Sequence, residues 1–258
     1  MISENLKTLA ETKQNIKLAI EAKGQDLTNV PFTQYAEKIE AIQTGGGENK
    51  LAKLVSGAYI EITASDLGNI QYIGDYGFYQ KNITNIELPN SLTIIGNSGF
   101  STCKQLKSIT IPDNVTTIGT QAFYNCTALE YIKLSEKLTK LSNSMFASCA
   151  LKEIEIPASV TSLGSYTFSD CKKLEKVVFK GQAPNFSSGF LSTCTSLKLL
   201  DLRNCTTMPT LQNTSAFGHA SGCVVAVPDS LYDTAQTMNV WKDITDIVWV
   251  KASEYVES

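Results

Sequence analysis

Arginine and histidine are nearly absent from this sequence of 258 residues. Arg203 is its only arginine and His219 its only histidine, and the formal net charge is −3. Duplex binding requires a dense basic face, and phosphate or base recognition favours bidentate arginine, so we expect no nucleic-acid partner. No apolar run approaches the roughly 18 residues of a membrane span. The longest candidate, Ile244 to Val250, contains Asp246, and we therefore expect no membrane insertion.

Motifs for catalysis, metals and cofactors are missing as well. The sequence contains no CxxC pair beside its single histidine and no DxDxDG loop, so zinc and calcium sites are not expected. It contains no GxSxG nucleophile elbow. The glycine run at residues 45–47 precedes no helix of the kind that binds phosphate, and His219 lies in AFGHASG, a composition typical of a surface loop. We expect a protein without a cofactor and without enzymatic activity.

A repeat of 22 to 23 residues dominates the chain instead. Each copy has a phenylalanine five residues after an apolar residue and three residues before a cysteine, with Lys81 replacing the first cysteine and Leu191 continuing the phenylalanine series. The repeated residues are Phe78, Phe100, Phe123, Phe146 and Phe168, and Cys103, Cys126, Cys149, Cys171 and Cys194. This period lies within the range of leucine-rich repeats.

An LxxIxI segment follows each cysteine position and often ends in proline, as in residues 106–112. Its alternation predicts a short strand with one buried face. A coil of this length buries about six side chains worth about 1.5 to 3 kcal/mol each, whereas ordering its backbone costs about 1 to 2 kcal/mol per residue. No coil can fold alone, so we expect about six coils to stack into a leucine-rich-repeat solenoid, a parallel sheet with turn or short helical returns.

The recurring pattern IGxxAFxxC, LxxIxIP and VTxIG resembles the bacterial BspA-like leucine-rich repeat family. Residues 118–126, 106–112 and 115–119 match it closely, and the resemblance covers about residues 55–250. It implies a right-handed curved solenoid and a surface protein of host-associated bacteria that binds host or bacterial ligands. We expect the solenoid over residues 50–204, with an irregular last repeat and a C-terminal cap over residues 205–258.

Residues 1–43 differ from the repeats and predict a small helical head, which a Gly-rich linker over residues 44–49 separates from the solenoid. A heptad-like seam runs through Ile2, Leu6, Leu9, Lys13, Ile16 and Ile20. It favours either a homo-oligomer formed through residues 2–20 or a helical pair packed on the first coil of its own chain. The charges in this segment distinguish it from a signal peptide. The segment and the WVKASEY string near the C-terminus are similar to phage or prophage tail-associated proteins.

Stacked cysteines raise the question of disulfides, because parallel strands place equivalent residues about 4.8 Å apart, within the Cα separation that a disulfide tolerates. Free cysteine is nevertheless among the most buried residue types, and side chains that point the same way into a dry core need not approach correctly for bonding. We therefore expect a ladder of thiols. Cys205 and Cys223 lie outside this ladder, and the sequence leaves open whether they are bonded.

The outward positions of the predicted strands form a candidate partner-binding face. They carry both charge signs and a few apolar side chains, which suits a protein partner better than a polyanion. The selected residues are Glu87, Thr110, Tyr131, Lys133, Glu155, Val178, Leu199 and Asp201. The alternative is a face that is merely solvated. A tyrosine group in the first coil is expected either to stack on sugars or to cover the end of the core; its members are Tyr59, Tyr72, Tyr76 and Tyr79.

Two classes of function follow from these patterns. The repeat resemblance implies a bacterial cell-surface or secreted adhesion module, located outside the cell, that binds a protein or glycan ligand on a host or bacterial surface. The resemblances at the two ends imply a virion-associated phage or prophage tail fibre or receptor-binding component.

Overall fold

The computed structural model describes residues 60–217, 222–244 and 246–256. The predicted helical head with its seam over residues 2–20, the linker over residues 44–49, Tyr59 and His219 lie outside these residues. The described chain forms a parallel β-solenoid of about eight turns with little helix, which confirms the predicted fold class. Neither described helix has the length and apolar character that crossing a bilayer requires.

A regular coil contains one longer strand, one shorter strand and the turns between them. The LxxIxI segments form the longer strands, which we call the long-strand face: β1 (Ile60–Ile62), β3 (Ile83–Ile86), β5 (Ser108–Thr110), β7 (Tyr131–Lys133), β9 (Glu153–Ile156), β11 (Lys176–Phe179), β12 (Leu199–Asp201), β13 (Cys223–Val227) and β14 (Ile247–Lys251). The shorter strands form the short-strand face: β2 (Tyr72–Ile73), β4 (Ile94–Ile95), β6 (Thr117–Ile118), β8 (Lys140–Leu141) and β10 (Ser162–Leu163).

Parallel pairing joins successive coils on both faces. The long strands form the sheets β1-β3, β5-β7 and β9-β11-β12-β13-β14, and the short strands form β2-β4-β6 and β8-β10. Val177 pairs with Ile154 on one side and with Leu200 on the other, so repeat-equivalent residues stack directly. Strands β13 and β14 continue this sheet into residues 205–258, so the solenoid has about eight turns where about six coils were predicted.

The described helical elements are short and lie mainly near the C-terminal end. They are α1 (Ala64–Leu67), α2 (Tyr232–Thr237) and single turns of 3-10 helix at Thr214–Ala216, Asp229–Leu231 and Trp241–Asp243. Ala235 of α2 is buried, as the predicted cap requires. Trp241 is the largest side chain of this region, is fully buried, and donates from Nε1 to the carbonyl oxygen of Pro209 at 2.7 Å. It therefore closes the last part of the core with its polar atom satisfied.

The repeated phenylalanines form a stack inside the solenoid. The rings from Phe78 to Phe168 follow one another with centroid separations of 5.1 to 5.6 Å and nearly parallel planes. Leu191 is buried where the series predicts it, but the ring that follows Phe168 belongs to Phe190, which meets it edge-on at 79°. The stack of parallel rings therefore ends at Phe168, and the Phe190 ring packs against the ring of Phe186.

The repeated cysteines form the predicted ladder of thiols. All seven cysteines are free, including Cys205 and Cys223. Each thiol of the ladder donates to the carbonyl oxygen of the phenylalanine one coil earlier, as Cys103 Sγ does to Phe78 at 2.9 Å; the other four make this contact at 3.0 to 3.1 Å. Burial raises the pKa of the Cys194 thiol to about 12. The Cys194 thiol therefore stays protonated and can act as a hydrogen-bond donor between coils.

Candidate functional site

The long-strand face presents most of the residues predicted to bind a partner. Five of the eight are exposed and Val178 is half-buried; the exposed five are Glu87, Thr110, Tyr131, Lys133 and Glu155. Strand pairing places Thr110 beside Lys133 and Glu155 beside Val178. The sequence pattern therefore assigned the outward direction of β3, β5, β7, β9 and β11 correctly, whereas their role in binding stays a prediction.

Leu199 and Asp201 were wrongly expected on the exposed face. Only 5% of Leu199 and 3% of Asp201 are accessible. The chain after β14 lies beside both residues. Tyr255 and Val256 line a surface hollow together with Leu199, and the Tyr255 ring packs against Arg203, the partner of Asp201. The usable part of the long-strand face therefore ends near β11.

Arg203, the only arginine of the chain, holds this covered corner together. Its Nε and Nη2 atoms donate to the two carboxylate oxygens of Asp201 at 2.9 and 2.8 Å. The guanidinium also lies over the ring of Tyr255, with 4.5 Å between its carbon and the ring centroid. A planar guanidinium can make both contacts at once, whereas a lysine ammonium cannot.

The exposed part of the face contains a seam between β7 and β9. No backbone ladder joins these strands, although they are neighbours in the stack. The coil that leads into β9 has one residue fewer than its predecessor between the cysteine and the leucine, as Cys149 to Leu151 compared with Cys126 to Leu129 shows. A cleft of about 220 Å³, here the seam cleft, lies at this seam; its charged and aromatic lining consists of Tyr131, Lys133, Glu136, Glu153, Glu155 and Lys180.

Charge in the seam cleft is only partly paired. Lys180 Nζ lies 2.8 Å from a carboxylate oxygen of Glu155 and 3.5 Å from one of Glu136. The hydrogen bond to Glu155 is the main reason that the pKa of Lys180 is raised. Glu153 and Lys133 make no side-chain ion pair among the described residues. One carboxylate and one ammonium of the cleft therefore remain available for an incoming ligand.

A second, neighbouring hollow lies at the seam between β3 and β5. Its volume is about 350 Å³, and Glu87, Thr110 and Tyr131 contribute to its lining. Tyr131 lines both hollows and half of its surface is exposed. An aromatic ring with a hydroxyl group at this position offers apolar area and a hydrogen bond to one ligand.

The chemistry of the site is that of recognition. In the ranges 60–217, 222–244 and 246–256, no cluster of three or more histidine, cysteine or acidic side chains is placed to hold a metal ion. The seam cleft offers ion pairing from Lys133 and Glu153 and stacking on Tyr131. Such a mixture suits the rim and anchor of a protein interface.

Sequence reasoning selected Tyr131, Lys133 and Glu155 but missed Glu136 and Lys180 of the charged lining. Lys180 and Glu136 follow strands rather than lie within them, so strand alternation could not select them. A signal was nevertheless present, because Lys180 and Ser135 stand where other copies have the proline of LxxIxIP. Departures from the repeat therefore coincide with the lining of the cleft.

The sequence profile of the BspA type leucine-rich repeat region matches residues 71–198 in six copies. The repeats of this chain belong to that family. The match spans β2 to β11, so the BspA-type repeats carry the whole seam cleft. None of the curated proteins matches this chain.

Several solved structures are similar to the BspA-type repeat chain. A T. pallidum leucine-rich repeat protein is 22% identical and has a TM-score of 0.48, with 71% of this chain and 81% of that chain covered. A leucine-rich cell surface protein of Faecalibacterium prausnitzii is 20% identical, with a TM-score of 0.37 and coverage of 79% and 63%. The pneumococcal vaccine antigen PcpA is 15% identical, with a TM-score of 0.38 and coverage of 75% and 68%.

Proposed function

We propose that this chain is a non-enzymatic protein-interaction module that binds its partner on the long-strand face, centred on the seam cleft. Leucine-rich repeat proteins generally bind proteins, and this fold offers an open sheet surface. The observation that carries the proposal is the exposed Tyr131 between Lys133 and Glu153, whose charges are not paired by other described side chains.

The proposed setting is a bacterial surface, where the module adheres to a protein or glycan ligand of a host or of another bacterium. The membership of a bacterial surface-type repeat family supports this setting. The virion alternative rests on resemblances in residues 1–43 and in WVKASEY, and no contact of the described residues favours it over adhesion.

A site-specific crosslinking experiment tests the position of the interface. A photo-reactive amino acid replaces Lys133 in the seam cleft or, as a control, Lys140 of β8 on the short-strand face; both side chains are exposed. Each protein is illuminated on host epithelial cells, and the captured surface proteins are identified. We expect one or a few specific adducts from position 133 and none of them from position 140.

The captured partner, once purified, allows a quantitative comparison. Lys133→Glu and Tyr131→Ala should each weaken its affinity by roughly thirtyfold if these residues are anchors of the interface. Lys140→Glu makes the same charge change elsewhere and should leave the affinity unchanged. Equal losses for the variants at positions 133 and 140, or equal adducts from both positions, would refute binding at the cleft.

A further inference from the structure

The last described strand, β14, pairs with β13 on one edge, and no other strand of residues 60–217, 222–244 and 246–256 pairs with its second edge. Ala252 N donates to Val227 O, and Gly222 N donates to Asp246 O, so these two positions of the last strand face β13. Successive residues of a strand point their N–H and C=O groups to opposite edges. Ile247 and Trp249 therefore direct these groups away from β13, and neither residue has a backbone partner there within the described part of the chain.

The described residues that follow β14, 252–256, do not cover this edge. Tyr255 N donates to Lys251 O at 3.1 Å, and the Tyr255 ring then packs under Arg203 on the long-strand face. The edge thus remains open where the side chains are apolar: Ile247 and Trp249 are only half-buried, and 49% of Val248 is exposed. Natural edge strands usually carry charge, proline or a bulge. β14 carries one charge, Lys251 at its end, whereas the four residues before it, Ile247–Val250, are all apolar and include no proline.

The free edge is complementary to itself. A two-fold axis at Val248 sets Ile247 of one copy opposite Trp249 of the other in an antiparallel pair. Each such pair exchanges two backbone hydrogen bonds, and symmetry repeats the pair, which gives four bonds. Val248 then lies opposite its own copy at a non-hydrogen-bonded position with a Cα separation of about 4.5 Å. The paired Ile and Trp side chains form a β-branched and aromatic cross-strand contact, which is among the favourable kinds.

We propose that β14 is a dimerisation strand, through which two copies of this chain join their long-strand sheets end to end. We expect the partner of this edge to be a second copy for two reasons. Ile247 and Trp249, whose backbone groups are unpaired, come opposite each other in the antiparallel register, and the side chain on the two-fold axis, Val248, is uncharged. Such a dimer leaves the seam cleft of each copy open, since the cleft lies between β7 and β9. Dimerisation would therefore present two partner sites on one particle.

Substitution of Val248 by charged residues tests this dimer. The molar mass of the full chain is measured across a concentration series by light scattering and sedimentation velocity. Val248→Asp and Val248→Lys each place like charges directly opposite on the axis, and we expect each to weaken self-association by roughly tenfold or more. An equimolar mixture of the two variants should recover dimers, because the axis then brings Asp opposite Lys.

Two controls make the result decisive. Val256→Asp introduces the same charge at an exposed valine outside β14, and it should keep the mass of the parent protein. Urea unfolding at a protein concentration where the parent protein is monomeric should give matching curves for the Val248 variants and the parent, because this side chain is half exposed. Since every protein retains residues 2–20, any association through that segment is the same in all of them. A monomeric parent protein, or variants that associate as tightly as the parent and gain nothing on mixing, would overturn the proposal.

Discussion

Replacing Gly119 by alanine should destabilise the solenoid far more than replacing Gly74, although the two glycines occupy the same position in their repeats. Each follows a short strand, β6 for Gly119 and β2 for Gly74. Neither has a positive φ angle, so alanine would introduce no left-handed strain at either position. The comparison therefore isolates the space that each coil leaves for a Cβ atom.

The available space differs sharply between the two positions. A Cβ atom on Gly119 would lie 2.5 Å from the backbone nitrogen of Asn97, about 0.9 Å short of an ordinary contact of 3.4 Å. A Cβ atom on Gly74 would have Tyr72 as its nearest neighbour, at 3.7 Å. The crowding at Gly119 comes from the backbone of the preceding coil, which cannot rotate away as a side chain can. The coils would have to separate locally.

The expected cost of Gly119→Ala is about 3 kcal/mol, the upper part of the range for overpacking, since backbone rather than side chain must move. Gly74→Ala should lie between no change and a stabilisation of about 1 kcal/mol, because alanine restricts the unfolded chain. Urea unfolding followed by circular dichroism measures both. With a slope of about 1 to 3 kcal/mol per molar urea, Gly119→Ala should lower the midpoint by about 1 M or more.

The natural sequence already contains one test of this reasoning. Ser142 occupies the glycine position after β8, and the short-strand ladder is interrupted between β6 and β8. In the neighbouring coil Gly119 N donates to Ile95 O at 2.8 Å, whereas at Ser142 the hydroxyl Oγ donates to Ile118 O at 2.6 Å. A side chain at this position thus coincides with a lost strand pair. Equal midpoints for Gly119→Ala and Gly74→Ala would refute the steric explanation.

Three further predictions concern the core, the thiols and the arginine. Phe123→Ala should lower the free energy of unfolding, measured in urea, by about 3 to 5 kcal/mol, since its ring is fully buried. Lys133→Ala should change it by no more than about 0.5 kcal/mol. Similar losses for the two variants would mean that the inward and outward positions were assigned wrongly. Burial raises the pKa of Cys194 from 9.0 to about 12. The contribution of the protonated thiol to the free energy of unfolding is therefore intact below pH 9. It declines as the pH rises towards 12, by at most about 1.4 kcal/mol per pH unit. Cys194→Ala should show a shallower decline in stability between pH 8 and pH 10.5, and an unchanged slope would contradict this account. Arg203→Ala should lower the free energy of unfolding by about 3 to 5 kcal/mol, because it leaves the buried Asp201 carboxylate without its bidentate partner. It should also speed amide hydrogen exchange at Tyr255. Slow exchange at Tyr255 in this variant would show that the Arg203 guanidinium does not hold this part of the chain in place.

Strand alternation predicted the candidate site only where its physical basis held. Side chains alternate across any strand with one buried face, so the outward directions of Glu87, Thr110 and Glu155 followed from the repeat. The alternation says nothing about chain that returns from elsewhere, and for this reason it failed at Leu199 and Asp201. It also could not show that the ladder is interrupted between β7 and β9, since pairing depends on how two coils meet.

The period of 22 to 23 residues was sufficient to determine the stacked coils and the phenylalanine and thiol ladders, because a coil that cannot fold alone must bury its repeated apolar positions against its neighbours. Tertiary structure alone decided where that regularity stops. The covered corner around Arg203 arises from a contact between segments that are distant in sequence. The seam cleft coincides with a one-residue deletion in the repeat, but its lining, like the pairing of β14, depends on how neighbouring coils meet, and strand alternation does not encode this.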